Sequence, residues 1–333
     1  MTSPSSADSS KNSPVSKRRR KRRTWWNRLR ETAHLRINRL IRKILFPIYK
    51  KLGVTSVLRL IIPNFRKVTK SPGGITFHGA YHGEVRNHPV LGIVGDYGSG
   101  KREAYAVADM VRNEGANAVV TLGDNVYYET GFQRLVGNLY GDFLQTGSFF
   151  PATGNHDYTE GRGIALYDRY FDFLRGHRWY SVVFGDVEFF LLDSHQALHH
   201  PDSFEQQREW LKNAATNSTA TWKIVVVHHP PHSARSRSQH EFRFPYEDWG
   251  VCMVMSGHDH TLQHLSIDNV HYVVNGIGGG SIHEFEEILE NTEFRLSGEY
   301  GGVLLECHPE ILRVRFMTIS RGEVYGFDIP ARS

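Results

Sequence analysis

Five short apolar stretches in the middle of the chain are each followed at once by glycine and then by a carboxylate, an amide or an imidazole, or by a histidine directly. The stretches are VLGIV from Val90, NAVVTL from Asn117, SFFPAT from Ser148, KIVVV from Lys223 and CMVMS from Cys252. Short runs apolar on both side-chain faces predict strands buried on both sides. Between them, AYAVADMVRNEG from Ala104 and SFEQQREWLKNAATN from Ser203 bring apolar residues back at three- and four-residue spacing, which predicts amphipathic helices. WYSVVFGDVEFFLLDS, VHYVVNG and the hairpin pattern GVLLECHPEILRVRFMTIS predict further strands. Periodicity alone therefore gives a mixed α/β chain.

The segments that follow the five runs carry the chemistry. They are GDYG from Gly95, GDNVY from Gly123, GNHD from Gly154, VVVH from Val225 and GHDH from Gly257. Side chains at the ends of buried strands converge on one rim, and a rim of Asp, Asn, Tyr and His suits a hydrolytic dinuclear centre, because two cations clamp a phosphate and generate hydroxide at neutral pH or below. Any one Gly-Asp or Gly-Asn-His step by itself reads as a turn. Five in order read as a ligand set. Most of the 19 histidines need no such role; His34, His78, His82, His88, His177, His271, His283 and His308 have no motif around them.

In this order the motifs resemble the metallophosphoesterase superfamily and, within it, the purple acid phosphatases, with the small tartrate-resistant acid phosphatases nearest in pattern. The first segment is DxG (Asp96, Gly98) where most of that superfamily has DxH, and Tyr127 in GDNVY stands in for the missing ligand; a phenolate is a hard, anionic donor suited to Fe(III). GDNVYYETG and SGHDHTLQHL extend the likeness, which runs from about Val90 to Ser320. The resemblance implies an α/β/β/α four-layer sandwich holding two metal ions, Fe(III) plus a divalent ion (Fe, Zn or Mn). Asp96, Asp124, Tyr127 and His260 would hold the ferric ion, and Asp124, Asn155, His228 and His258 the divalent one, with Asp124 bridging. The expected activity is hydrolysis of phosphate monoesters by metal-bound hydroxide, with His156 donating a proton to the leaving alkoxide and Asp157 orienting or charging that imidazole. A phosphodiesterase of the same fold, or a membrane-associated adaptor with a vestigial site, are the alternatives.

After VVVH comes HHPPHSARSRSQHEF. By the resemblance, His229, His232 and His240 lie in the loop that lines the substrate cleft, and Arg235 and Arg237 are candidates to meet an oxyanion, since guanidinium binds such groups bidentately. A solvated basic loop is the other reading. The glycine run GIGGGS from Gly276 is open between a close backbone approach to the site and a flexible turn.

Charge divides the chain. Residues 1–70 hold 20 Lys plus Arg against two acids, Asp8 and Glu31, while the remainder holds 20 basic and 33 acidic residues, so the overall +5 hides two opposite parts. Residues 1–23 read as a disordered basic tail ending in KRRRKRR. Residues 24–70 read as an amphipathic helical extension led by Trp25 and Trp26, and 75–330 as the catalytic domain. The basic stretch 17–62 suits an anionic membrane surface, with packing on the domain as the alternative. Nucleic acid is disfavoured by the acidic remainder. Arg or Lys interrupts every apolar window there, so no helix of about 20 apolar residues is available to span a bilayer. A signal peptide is also missing from the pattern, and the expected location is cytoplasmic, peripheral on a membrane. Cys252 and Cys307 suggest buried thiols and no disulfide framework.

Overall fold

The computed structural model of the protein describes residues 68–71, 74–78, 89–127, 131–158, 163–235 and 238–331. All of them lie in the compact unit Asn64–Ser333; the tail and amphipathic pattern expected up to Pro63 fall outside the described residues.

Two sheets make the frame. One has six strands in the order β15 (Gly322–Pro330), β14 (Ile311–Thr318), β13 (Gly301–Cys307), β3 (Val90–Val94), β4 (Ala118–Thr121) and β5 (Phe149–Pro151). The other has nine, in the order β1 (Val68–Ser71), β2 (Gly74–His78), β6 (Tyr180–Phe184), β7 (Val187–Leu191), β8 (Trp222–Val226), β9 (Met253–Ser256), β11 (Val270–Asn275), β10 (Leu262–Ile267) and β12 (Thr292–Leu296). β3, β4 and β5 run parallel, as do β7, β8 and β9. All five expected strands are present. The sheet begins earlier than the boundary at residue 75, because Val68–Ser71 pairs antiparallel with β2; four residues are too short for a periodic signal.

Alternation along β7 and β8 shows how the layers are filled. Val187, Phe189, Leu191, Trp222, Ile224 and Val226 point into the main core. Phe190, Leu192, Val225 and Val227 point the other way, into a second core with Trp210 and Leu211. Trp222 also donates its Nε1–H to the Ile329 carbonyl of β15, joining the two sheets. Helix α1 (Arg102–Asn113) buries Ala104, Val107, Ala108 and Val111, one stripe at i, i+3, i+4, i+7, as its pattern predicts. Helix α2 (Asn138–Thr146) follows a π-helical turn, Gln133–Gly137. Helices α3 (Gly163–Tyr170), α4 (Ser194–His199) and α5 (Pro201–Asn217) are the other α-helices among the described residues, with Trp210 and Leu211 of α5 in the second core. Helices over two packed sheets give the four-layer arrangement.

Cys252 and Cys307 are both buried thiols. Among the described residues no helix is long and apolar enough to cross a membrane.

Candidate metal centre

The loops after β3, β4, β5, β8 and β9 meet at one end of the two sheets, so three come from the six-stranded sheet and two from the nine-stranded one. Three residues at their tips, Asp96 (φ 58°), Asp124 (φ 53°) and His258 (φ 66°), adopt the left-handed conformation that side chains other than glycine avoid. Each such residue costs about 1–3 kcal/mol and persists only where its surroundings over-determine it. Those surroundings are visible. Asp96 N–H donates to the Gly123 carbonyl at 3.1 Å and His258 N–H to Asp96 Oδ2 at 2.9 Å, while His156 N–H donates to Asp124 Oδ1 at 2.8 Å. A Cβ at Gly154 would collide with the Asp124 carboxylate, which explains the glycine in GNHD.

The donor atoms fall into two groups sharing Asp124. On one side His260 Nε2 lies 3.2 Å from Asp96 Oδ1 and 3.0 Å from the Tyr127 hydroxyl, which is 3.3 Å from Asp96 Oδ1. Asp96, Asp124 and His260 offer ligand atoms all within 4.8 Å of one another. On the other side His228 Nε2 lies 3.1 Å from Asn155 Oδ1 and 3.4 Å from Asp124 Oδ1, and His258 Nδ1 lies 2.9 Å from Asn155 Oδ1. Two backbone carbonyls set the tautomers: Nδ1 of His228 meets the Leu122 carbonyl at 2.7 Å, and Nδ1 of His260 meets that of Ser281. A proton on Nδ1 leaves the Nε2 lone pair of each ring aimed at oxygen acceptors. Lone pairs facing carboxylate and amide oxygens need a proton or a metal cation between them.

The electrostatics agree. Burial would lower His228, but attraction to Asp124 outweighs it and pushes the imidazole up to about 9. Burial would raise Asp124; His228 and His156 hold it below the usual carboxylate range instead. Burial would lower His260, but its hydrogen bond and attraction to Asp96, together with Ser281 and Asp124, raise it, and the Tyr127 phenol is raised by burial and by Asp96 and Asp124. A cluster that draws protons in this way is a cluster short of positive charge. Its donor set, carboxylate and phenol oxygens with imidazoles and an amide, suits Fe, Zn or Mn.

His156 stands beside the donors with its side chain 39% exposed, Nε2 4.0 Å from Asp124 Oδ2 and its ring 4.6 Å from that of Tyr127. Asp157 is fully buried. Its Oδ2 accepts from Gly154 N–H at 2.9 Å and from the Asn125 amide at 2.8 Å, and its Oδ1 accepts from Val126 N–H at 3.2 Å. This carboxylate therefore ties the GDNVY loop to the GNHD loop, and burial together with Asp124 raises it to about 7. A cleft of about 270 Å³ opens over the centre, walled by donor residues and by Ser99, Lys101, His156, Gly280, Ser281 and His283.

The segment after His228 does not go where the pattern pointed. His229 is buried behind the centre, Nδ1 2.8 Å from Ser194 Oγ and its ring 4.5 Å from that of His258. His232 and His240 line a separate cleft of about 450 Å³, whose walls share no residue with the first. Pro230 and Pro231 turn the chain away: Gln239 N–H donates to the Pro230 carbonyl, Arg243 Nε to that of Pro231, and the His232 ring packs 4.6 Å from Tyr272. Arg235 is held in ion pairs, and Arg237 lies outside the described residues. In exchange the structure supplies the strap after β11. Gly280 sits so close that a Cβ would lie 2.9 Å from both His260 Cε1 and the Tyr127 hydroxyl, and the His283 ring stacks on His260 at 4.2 Å. His283 has no motif around it; the glycine run before it was its one signal.

Residues 89–262 match the model of the calcineurin-like phosphoesterase family. Purple acid phosphatase 17 of Arabidopsis thaliana is 25% identical over 258 residues, 65% of this chain and 72% of that one. Tartrate-resistant acid phosphatase type 5 of rabbit (Oryctolagus cuniculus) is 24% identical over 278 residues, 69% and 84%; for the mouse (Mus musculus) enzyme the figures are 25% over 216 residues, 53% and 64%, so the chain spans just under two thirds of that relative. Among solved structures, GAP50, described as the anchor in the inner membrane complex of Plasmodium, superposes with a TM-score of 0.62 at 18% identity, over 74% of this chain and 90% of that one. A purple acid phosphatase from yellow lupin (Lupinus luteus) seeds gives 0.60 at 17%, over 77% and 56%. These two show the fold. The strands, the loops that carry the donors and the matched region coincide, and the chain belongs to the calcineurin-like phosphoesterase family.

Proposed function

We propose that the chain is a metal-dependent phosphatase acting on phosphate monoesters, with Asp96, Asp124, Tyr127 and His260 holding one cation, Asp124, Asn155, His228 and His258 the other, and Asp124 bridging. The observation that carries this reading is the inward aim of the His228 and His260 lone pairs at carboxylate, amide and phenol oxygens within 3.0–3.4 Å. The phenol is the donor that favours Fe(III) at its side, with Fe, Zn or Mn at the other. Two cations held there would supply Lewis acidity to the phosphoryl oxygens and ionise water near neutral pH. The protein's own share is positioning and proton handling. Asp157 locks the two loops that present Asp124 and Asn155, the strap at Gly280 and Ser281 shapes the wall and orients His260, and His156 Nε2, at the cleft and beside Asp124, delivers a proton to the departing alkoxide.

Full-length protein purified without chelator tests the reading: two metals per chain and faster hydrolysis of a nitrophenyl monoester than of its bis ester are expected. Preference for the bis ester would make it a phosphodiesterase.

Residues 17–62 support a second element of the proposal, attachment to an anionic membrane surface. Their cationic, Trp-led pattern is the motive, and the neighbour described as a membrane-complex anchor is in keeping with it. Removing residues 1–63, which leaves β1 intact, should abolish co-sedimentation with phosphatidylserine vesicles and spare hydrolysis of soluble esters. Unchanged sedimentation would end this reading.

A further inference from the structure

Arg235 is a half-buried cation outside the metal-binding motifs, and it touches both segments that steady His258 and His260. Its side chain is 13% exposed. Nε lies 3.6 Å from Oδ1 of Asp259, the fully buried carboxylate between those two histidines, and Nη2 lies 3.1 Å from Glu286 of the strap. Nη1 donates to the Glu284 carbonyl, and the neighbouring Ala234 carbonyl accepts from Glu286 N–H at 3.1 Å and Glu287 N–H at 3.3 Å. Asp259 is fixed from the other side by the Ser233 hydroxyl. One guanidinium thus spans the GHDH loop and the strap, at Asp259 by charge alone, since Nε and Oδ1 stand 3.6 Å apart without a hydrogen bond between them, and at Glu284 and Glu286 by closer contacts.

The consequence for the centre follows from what each piece does. His258 precedes Asp259 and is left-handed, so its backbone depends on external contacts, among them its own N–H to Asp96 on one side and Asp259 on the other. His260 follows Asp259, and its Nδ1 is oriented by Ser281 of the strap that Arg235 grips three residues further on. A planar five-donor fork can reach a carboxylate, a second carboxylate and a carbonyl at once; a lysine ammonium at this depth cannot hold all three with the same geometry.

From this juxtaposition we infer that Arg235 is a positioning residue for the metal centre, acting through Asp259 and the strap to keep His258 and His260 aimed inward. This rests on the reading of those histidines as metal ligands. Groups that orient ligands in this way typically change metal affinity by about 10–100-fold when removed.

The test is metal retention by the full-length holoprotein dialysed against a series of chelator concentrations, with stoichiometry read by elemental analysis and folding by circular dichroism. Arg235→Met should release metal at chelator concentrations about tenfold or more below the wild-type midpoint. Asp259→Asn should shift the midpoint similarly, and the double variant no further than the larger single shift, since both act on one link. Arg235→Lys should fall between wild type and Arg235→Met, and it is the variant to read if Arg235→Met does not fold. A purely structural ion pair would lower the melting temperature and leave the midpoint in place, and that result overturns the inference. Wild-type protein that holds no metal would overturn the functional reading beneath it instead.

Discussion

Two buried histidine clusters in this molecule show opposite chemistry. At the loop tips, His228 is pushed up to about 9 because its Nε2 faces Asp124. In the strands, His264 of β10 places Nε2 2.9 Å from His271 Nδ1 and Nδ1 3.0 Å from the Tyr325 hydroxyl, and its ring stacks 4.0 Å from Phe327 of β15. Burial, helped by the neighbouring His271, brings His264 down to about 3. His271 is also lowered by burial, against a weaker pull from Glu293. Both clusters are rich in imidazole, and what differs is what the ring nitrogens meet. Acceptor oxygens with fixed tautomers call for a cation, whereas a second imidazole and a phenol satisfy one another and need only a neutral interior.

The largest expected break in this contrast is at Asp124. Asp124→Asn removes the anion shared by both donor groups, and elemental analysis should show loss of at least one metal together with hydrolysis of nitrophenyl phosphate. Chelation should then separate the two proteins by stability. Wild type should lose about 4 kcal/mol of unfolding free energy if metal stood roughly a thousandfold above its dissociation constant, and Asp124→Asn should lose little. Guanidinium melts with and without chelator give the comparison, and equal chelator effects on both would contradict it.

Next in size is His156→Ala, which should keep both metals and lower kcat by roughly 10²–10⁴ for alkyl phosphates, and by less for nitrophenyl phosphate, whose leaving group needs little protonation. The same loss for both substrates would take the proton-donor role from His156.

The last break lies in the other cluster and leaves the metal centre untouched. His264 titrates at 6.5 when unfolded and near 3 when folded, so between those values the unfolded chain binds more protons and stability falls as pH falls. The slope is up to about 1.4 kcal/mol per pH unit. His264→Gln should flatten that limb of the stability–pH profile and leave metal content unchanged. A profile as steep as wild type would show that the proton is taken up elsewhere.

The loop-tip cluster was legible in the sequence because each donor follows a strand whose apolar run is unmistakable, and strand ends bring distant segments together. The strand histidines were not, since His264 sits in SGHDHTLQHL with no role attached, His271 carries no motif, and their pairing depends on the register of β10 with β11 and on β15 crossing from the other sheet. The strap was half legible: the glycines of GIGGGS left a close approach and a flexible turn equally open, and Ser281 and His283 lie in irregular chain with no period to read. His232 and His240 went astray for a related reason. The resemblance places them in a cleft-lining loop, while Pro230 and Pro231 make a turn whose direction is set by tertiary contacts, hydrogen bonds to both proline carbonyls and packing against Tyr272.

The most direct test of the metal centre is the visible spectrum and metal content of full-length protein purified without chelator, beside Tyr127→Phe. The account predicts two metals per chain, one of them iron, and for the oxidised wild type a phenolate-to-iron absorption band that Tyr127→Phe lacks while it keeps the fold. Wild-type protein that is fully loaded with iron and colourless would contradict the assignment of Tyr127, and wild type that holds no metal at all would contradict the centre itself.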